Sequence, residues 1–171
     1  DEKFKPTVDE STWDKTKGEY RECLQKAIDN DIRDMILNDG IRPDNRKMDE
    51  VRTLSSEVGV LPRTHGSGIF TRGTTQALNL TTLAPMSFAQ LIDDMNGERE
   101  KRFMHHYNMP GYTVGEVRRL GGVGRRELGH SALAERALLA VIPDEVEFPY
   151  AIRCVTEIMT SNGSTSMAAT C

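Results

Sequence analysis

The sequence carries no cysteine framework. Its three cysteines, Cys23, Cys154 and Cys171, lie far apart with no Cys-x-x-Cys pair. That spacing argues against a disulfide scaffold or a zinc knuckle and fits a reducing, cytoplasmic compartment. Long apolar runs are also missing: nothing approaches the roughly 20 residues needed to span a bilayer. The N-terminus, from Asp1 to Pro6, lacks the apolar stretch of a signal peptide. No membrane partner is expected. Charge of one sign is lacking too, since 22 Lys and Arg against 26 Asp and Glu leave a net charge of −4 and a pI near 5.6. Overall charge therefore gives no argument for nucleic acid, and any anion site must come from local clustering. Hydrophobic residues make up only 37% of the 171 positions, somewhat low for a compact fold. One incomplete core with a helical preface is the expectation. There is no internal repeat and no low-complexity tract.

What is present is periodic. Residues 1–12 are polar and read as a tail. From Trp13 the residues Tyr20, Leu24, Ile28, Ile32 and Met35 recur at helical steps, predicting an amphipathic helix that Asn38, Asp39 and Gly40 end. A turn through Arg42-Pro43-Asp44-Asn45-Arg46 follows, so a helical linker over 1–40 and a domain over 41–171 are expected. Segments 51–61, 67–72 and 76–83 read as a meander of strands. Segment 103–109 is a further strand candidate after the polar run 96–102, with Pro110-Gly111 as its breaker. A Gly and Arg-rich loop occupies 115–124. Helical period returns at Arg125, with His130, Leu133, Ala134, Ala137, Leu138 and Val141 as one stripe closed by Pro143-Asp144. Segment 150–160 reads as a strand with Ile152, Cys154 and Ile158 on one face and Arg153 and Glu157 on the other. Asn162-Gly163 then turns into a last helix around Met167. The fold class is α+β.

Two segments carry the chemistry. Arg125-Arg126-Glu127-Leu128-Gly129-His130 supplies guanidinium charge and an imidazole one turn apart. Ser161-Asn162-Gly163-Ser164-Thr165-Ser166 supplies a glycine turn, hydroxyls and free N–H groups that favour phosphate. Alone, each has an ordinary explanation: a solvated first turn, and a capped helix after a turn. Arginines at a helix N-terminus oppose the helix dipole, however, and make more sense if an anion is usually present. His130 on an apolar face is ordinarily a core histidine, and the adjacent arginine lowers its pKa. His105 and His106, as strand neighbours, point to opposite faces and are assigned a structural role. Gly121-Gly122-x-Gly124 is no phosphate loop, because no strand precedes it and no Gly-Lys-Ser/Thr follows.

In order along the chain, several motifs combine. They are Glu57-Val58-Gly59-Val60-Leu61-Pro62-Arg63-Thr64-His65-Gly66-Ser67, Phe70-Thr71-Arg72-Gly73-x-Thr75-Gln76-Ala77, Met95-x-Gly97-Glu98-Arg99, His106-Tyr107-Asn108-x-Pro110, Gly124-Arg125-Arg126-Glu127-Leu128-Gly129-His130, Phe148-Pro149-Tyr150 and Ser161-Asn162-Gly163-Ser164. This series closely resembles polynucleotide phosphorylase over residues 40–171. It corresponds to the start of that family's second ribonuclease PH-like core domain, incomplete at the C-terminus.

The resemblance implies a polyribonucleotide nucleotidyltransferase. Such an enzyme is a phosphorolytic 3′-to-5′ exoribonuclease that acts in mRNA degradation, releases nucleoside diphosphates and can run in reverse as a polymerase. It implies inorganic phosphate as co-substrate, single-stranded RNA 3′ ends as partners and a cytoplasmic homotrimer, with KH and OB-type domains further along the parent chain. Ser164, Thr165 and Ser166 match its phosphate-binding hydroxyls, Thr165 standing where many members have a third serine. Arg125 and Arg126 match its phosphate- and RNA-binding arginine pair, and His130 its catalytic histidine. The family's Mg²⁺ or Mn²⁺ is held by aspartates expected beyond Cys171, so no metal ligand is expected in this chain and the fragment alone should be inactive. Two departures lie outside the pocket: Asn45 replaces a usual glycine, and Met109-Pro110-Gly111 replaces a usual Phe-Pro-Pro. The alternatives are a stand-alone ribonuclease PH that trims tRNA 3′ ends, which the helical preface disfavours, and a non-catalytic RNA-binding ring subunit of the same fold.

Overall fold

The computed structural model describes residues 10–119 and 121–171, which divide into two compact units, 1–51 and 52–171. The tail expected over residues 1–12 lies mostly outside the described residues. In the first unit the predicted helix forms as α1, Glu10–Asp34, and closes with one wide turn over Met35–Asp39. Gly40 takes a left-handed conformation and returns its N–H to the Met35 carbonyl, the usual way a helix C-terminus satisfies its free carbonyls. In the turn that follows, Asn45 has φ +61° and donates its N–H to the Arg42 carbonyl at 2.8 Å. Asparagine is among the few non-glycine residues that visit this region readily. The departure from glycine therefore keeps the turn's backbone.

The second unit is built on a five-stranded sheet. Its strands are β1 (Leu54–Val58), β2 (Gly66–Arg72), β3 (Thr75–Ala84), β6 (Phe103–Asn108) and β7 (Ala151–Thr160), in the spatial order β1-β2-β3-β7-β6. The first three pair antiparallel as the predicted meander, β3 pairs antiparallel with β7, and β6 pairs parallel with β7. A parallel pair needs a crossover. Here α2, Arg125–Leu138, lies on that connection. After β7 the chain turns through Asn162-Gly163 into α3, Thr165–Thr170.

A separate hairpin, β4 (Gln90–Asp94) and β5 (Gly97–Lys101), occupies a stretch in which no strand was expected. Nearly all of its residues are exposed, so it shows no hydrophobic alternation. Turn chemistry holds it instead, with the Asp94 carboxylate accepting the Asn96 N–H at 2.8 Å and pairing with Arg99 at 2.8 Å.

The core forms where α2 and α3 pack against β6, β3 and each other. Ala77, Tyr107, Met109, Ala134, Ile158, Ala168 and Ala169 fill it, with Phe70 at its margin. Across the sheet face beside them runs a polar chain, in which Asn79 Nδ2 donates to Thr156 Oγ1 at 2.8 Å and His105 Nε2 lies 3.0 Å from the same oxygen. His105 is buried and His106 exposed, as strand alternation requires. At the end of β6, Gly111 makes a close approach: a Cβ there would lie 2.5 Å from the Glu116 carbonyl oxygen. The 111–118 loop folds back through that gap.

Helix α2 is rotated from the predicted stripe. Ala134 is fully buried and His130 and Leu138 half-buried, but Leu133 and Ala137 are exposed, and the helix stops before Val141. The reason is a second, polar set on the same face. Glu127 accepts the Met109 N–H at 3.3 Å, Ser131 donates to the His105 carbonyl, and Glu135 accepts the His105 N–H at 3.2 Å while pairing with Lys101 at 2.7 Å. This rotation is testable. Ala134→Leu is expected to lower the unfolding free energy by about 1–3 kcal/mol through overpacking, whereas Leu133→Ala should change it by no more than about 0.5 kcal/mol. Denaturant titration of the two variants checks the contrast.

Candidate phosphate and RNA 3′-end site

The turn between β7 and α3 is gripped from several directions. Ser161 donates its N–H to the Thr113 carbonyl at 3.0 Å. Arg52 Nη1 donates to the Asn162 carbonyl at 2.8 Å, and Thr75 Oγ1 accepts the Asn162 N–H at 2.9 Å. Within this frame Gly163 has φ +83° and Ser164 φ +57°. The hydroxyls that follow divide by direction. Ser164 is exposed and Ser166 half-exposed, but Thr165 is buried with its oxygen accepting a hydrogen bond from the Tyr107 hydroxyl at 2.6 Å. The Thr165 side chain faces the core.

Tyr107 is the hub that sequence reasoning missed. Its ring also meets His130 edge to face, with centroids 4.9 Å apart and planes at 74°. Burial pushes the phenol above its ordinary pKa, so at neutral pH it stays a donor. The only advance signal was its place in the His-Tyr-Asn motif, which carries no assigned chemistry. Burial, and then the charge of Arg126, push His130 below its ordinary value of 6.5. The imidazole is therefore neutral at pH 7. Its Nδ1 is buried with no hydrogen-bond partner among the described residues, a state that ordinarily costs about 1–3 kcal/mol.

At the start of α2 the Glu127 carboxylate accepts the Gly124 N–H at 2.7 Å as well as the Met109 N–H. An anion of the chain's own thus meets the helix N-terminus. Arg125 and Arg126 remain exposed, with no ion pair among the described residues. Together with Arg118, Arg119, Asn108 and Met109 they line a cavity of about 480 Å³. Tyr107 reaches this cavity, whereas Ser164, Thr165 and Ser166 do not line it. A larger cavity of about 670 Å³ lies over β2 and β3 and contains none of the arginines. Among the described residues no group of three or more His, Cys, Asp or Glu side chains is placed to hold a metal ion. No described helix is long and apolar enough to cross a membrane.

The fold is an α+β sheet with one parallel crossover helix and a hydroxyl-bearing turn after the last strand. Solved structures agree on that fold. The Archaeoglobus fulgidus exosome with RNA bound to the active site aligns with a TM-score of 0.61 at 14% identity, over 78% of this chain and 54% of that one. Rice Rrp46 aligns with a TM-score of 0.56 at 18% identity, over 75% and 54%. The family model described as 3′ exoribonuclease family, domain 1, matches residues 50–171, and the chain belongs to this family. It is 56% identical over 158 residues to the polyribonucleotide nucleotidyltransferase of Lysinibacillus sphaericus, covering 92% of this chain. It is 57% identical over 153 residues to polyribonucleotide nucleotidyltransferase 1 of Alkaliphilus metalliredigens, covering 90% of this chain. The chain spans 22% of the length of each of these relatives.

Two measurements follow from this geometry. Tyr107→Phe keeps the ring against His130 but leaves the buried Thr165 oxygen without its donor, and should lower the unfolding free energy by about 1–3 kcal/mol. A thermal melt beside Thr165→Val in the same background checks whether the two losses are shared rather than additive. The second concerns pH. His105 and His130 are both held below 6.5 chiefly by burial, with Glu135 opposing the shift at His105. The unfolded chain then binds more protons than the folded one once pH drops below 6.5, so stability is full above that value and falls as pH descends toward the folded-state pKa values. The denaturation midpoint should decrease between about pH 7.5 and about pH 5.5, and by less in His105→Gln.

Proposed function

We propose that this protein is a polyribonucleotide nucleotidyltransferase that degrades single-stranded RNA from its 3′ end by phosphorolysis. In this reading Arg125, Arg126, His130 and the hydroxyl turn of Ser164, Thr165 and Ser166 hold inorganic phosphate against the terminal phosphodiester. The observation that supports it is the contact of Tyr107 with both Thr165 and His130, which draws two segments distant in sequence to one locus beside an arginine-lined cavity. Identity above half to relatives carrying that name supports the same assignment.

The chemistry is direct displacement. A phosphate oxygen forms a bond to the phosphorus of the terminal nucleotide, and the bond from that phosphorus to the preceding 3′-oxygen breaks. The products are a nucleoside diphosphate and an RNA one residue shorter, whose 3′-oxygen takes up the proton that the attacking phosphate gives up. Arg125 and Arg126 attract and orient the oxyanions, and Arg125 and Arg126 also meet the RNA backbone at the cavity. His130, neutral at pH 7, is suited to hold and pass the proton. Ser164 and Ser166 present their hydroxyls outward, while Thr165 sets the turn from within. Holding phosphate and ester in line is the larger part of such catalysis.

A divalent cation, Mg²⁺ or Mn²⁺, would stabilise charge on the leaving oxygen. The described residues do not fit one. A cytoplasmic homotrimer engaged in mRNA degradation completes the proposal on family grounds.

The test uses the full-length protein and phosphate-dependent release of nucleoside diphosphates from single-stranded RNA. Replacing both Ser164 and Ser166 by Ala should raise the KM for phosphate by roughly 10- to 100-fold, the loss of two hydrogen bonds to a charged group. An unchanged phosphate KM would sink the assignment of these serines. Binding of phosphate and RNA with no turnover by the intact protein would favour a non-catalytic ring subunit.

A further inference from the structure

Thr75 is the first residue of β3 and is fully buried, yet its hydroxyl works for a segment far along the chain. The oxygen accepts the Asn162 N–H at 2.9 Å and the hydroxyl donates to the Gly163 carbonyl at 3.1 Å, across 87 and 88 residues of sequence. A hydroxyl has one proton to give. Here it goes to Gly163, which sets the rotor.

The segment it holds is backbone that would not hold itself. Gly163 and Ser164 are consecutive left-handed residues, and for serine that conformation costs about 1–2 kcal/mol. Such strain persists only where the surroundings over-determine it. The neighbouring contacts each hold a single group: half-buried Arg52 reaches the Asn162 carbonyl, Ser161 donates its N–H to the Thr113 carbonyl, and Thr160 donates to the Thr74 carbonyl one step away. Among these contacts Thr75 is the one that bonds two groups of the turn from a fully buried side chain, the peptide before Asn162 and the peptide after Gly163. Its β-branch restricts χ1, which makes it a stiffer bracket than serine.

We propose that Thr75 is a positioning residue for phosphate, its hydroxyl bridging the Asn162 N–H and the Gly163 carbonyl so that Ser164 and Ser166 present their hydroxyls in the geometry phosphate requires. This rests on the reading of Ser164 and Ser166 given above. Thr75 touches neither phosphate nor RNA in this arrangement and acts through the turn.

The experiment compares Thr75→Val, which keeps the shape and removes the hydroxyl, with Thr75→Ser, which keeps the hydroxyl. Both are made in the full-length protein and assayed by phosphate-dependent nucleoside diphosphate release. Thr75→Val should raise the phosphate KM about tenfold with the RNA KM within about twofold of wild type, and Thr75→Ser should restore the phosphate KM to within about twofold. A purely structural role would lower the yield of active protein and leave both KM values unchanged. A wild-type phosphate KM in Thr75→Val, or an equal rise in Thr75→Ser, overturns the proposal. If Thr75→Val does not fold, Thr75→Cys carries the same test, its weaker hydrogen bonding raising the phosphate KM if the inference is right and leaving it unchanged if not. The double Ser164 and Ser166 variant separates the two ideas. If it raises the phosphate KM and Thr75→Val does not, only the bracket fails; if it does not, the phosphate assignment itself fails.

Discussion

The outer edge of β6 must find hydrogen-bond partners, because it pairs with β7 on one side only and an open strand edge leaves backbone donors and acceptors unmatched. Helix α2 supplies them. Glu127, Ser131 and Glu135 stand at four-residue steps on one face, and each bonds a backbone group of His105 or Met109. That arrangement fixes the rotation of α2. Turned by one residue, the helix would swing its polar row about 100° away and lose every one of these bonds. With the rotation fixed, His130 has no choice but to sit on the Tyr107 ring, and Arg126 lies one helical turn before it, close enough to act on its titration.

The same row settles part of the charge problem at the helix start. Two arginines beside a helix N-terminus look misplaced against the dipole. The Glu127 carboxylate sits there as well, bonded to the Gly124 N–H. It satisfies the helix end without neutralising the arginines by contact, since neither Arg125 nor Arg126 is paired among the described residues. Two guanidinium groups therefore stay open to the cavity beside them. An incoming anion would meet positive charge held near an already capped helix, with no internal pair to break first.

What the sequence revealed follows from what each signal measures. Helix α1, the β1-β2-β3 meander, β7 and the turn at Gly163 all carry a period or a breaker, and those are local properties. The β4-β5 hairpin has neither, because both its faces meet solvent and its stability comes from an aspartate at the turn. The rotation of α2 was misjudged for a different reason. Leu133 and Ala137 were counted because they are apolar, while the partners that orient Glu127, Ser131 and Glu135 are backbone groups of His105 and Met109, which helical period does not report. In the site, the closeness of Arg126 and His130 was legible as a helical step. Nothing local could reveal that the Tyr107 hydroxyl meets Thr165, 58 residues away.

That last contact ties Thr165 to the core rather than to the solvent side of the turn. At 3% exposure Thr165 is part of the core, so its methyl group has somewhere to go, and its oxygen already accepts from a phenol that burial keeps protonated. The residue works from inside, together with Thr75, so that the turn between β7 and α3 is held by buried hydroxyls on two sides. A buried hydroxyl that both donates and accepts, as that of Thr75 does, has one orientation, and a turn fixed this way loses little entropy when a ligand arrives. Ser164, exposed, and Ser166, half-exposed, thus stand on a turn whose backbone is held by groups that never reach the surface. Rigid support of this kind is what a binding site on a small turn requires.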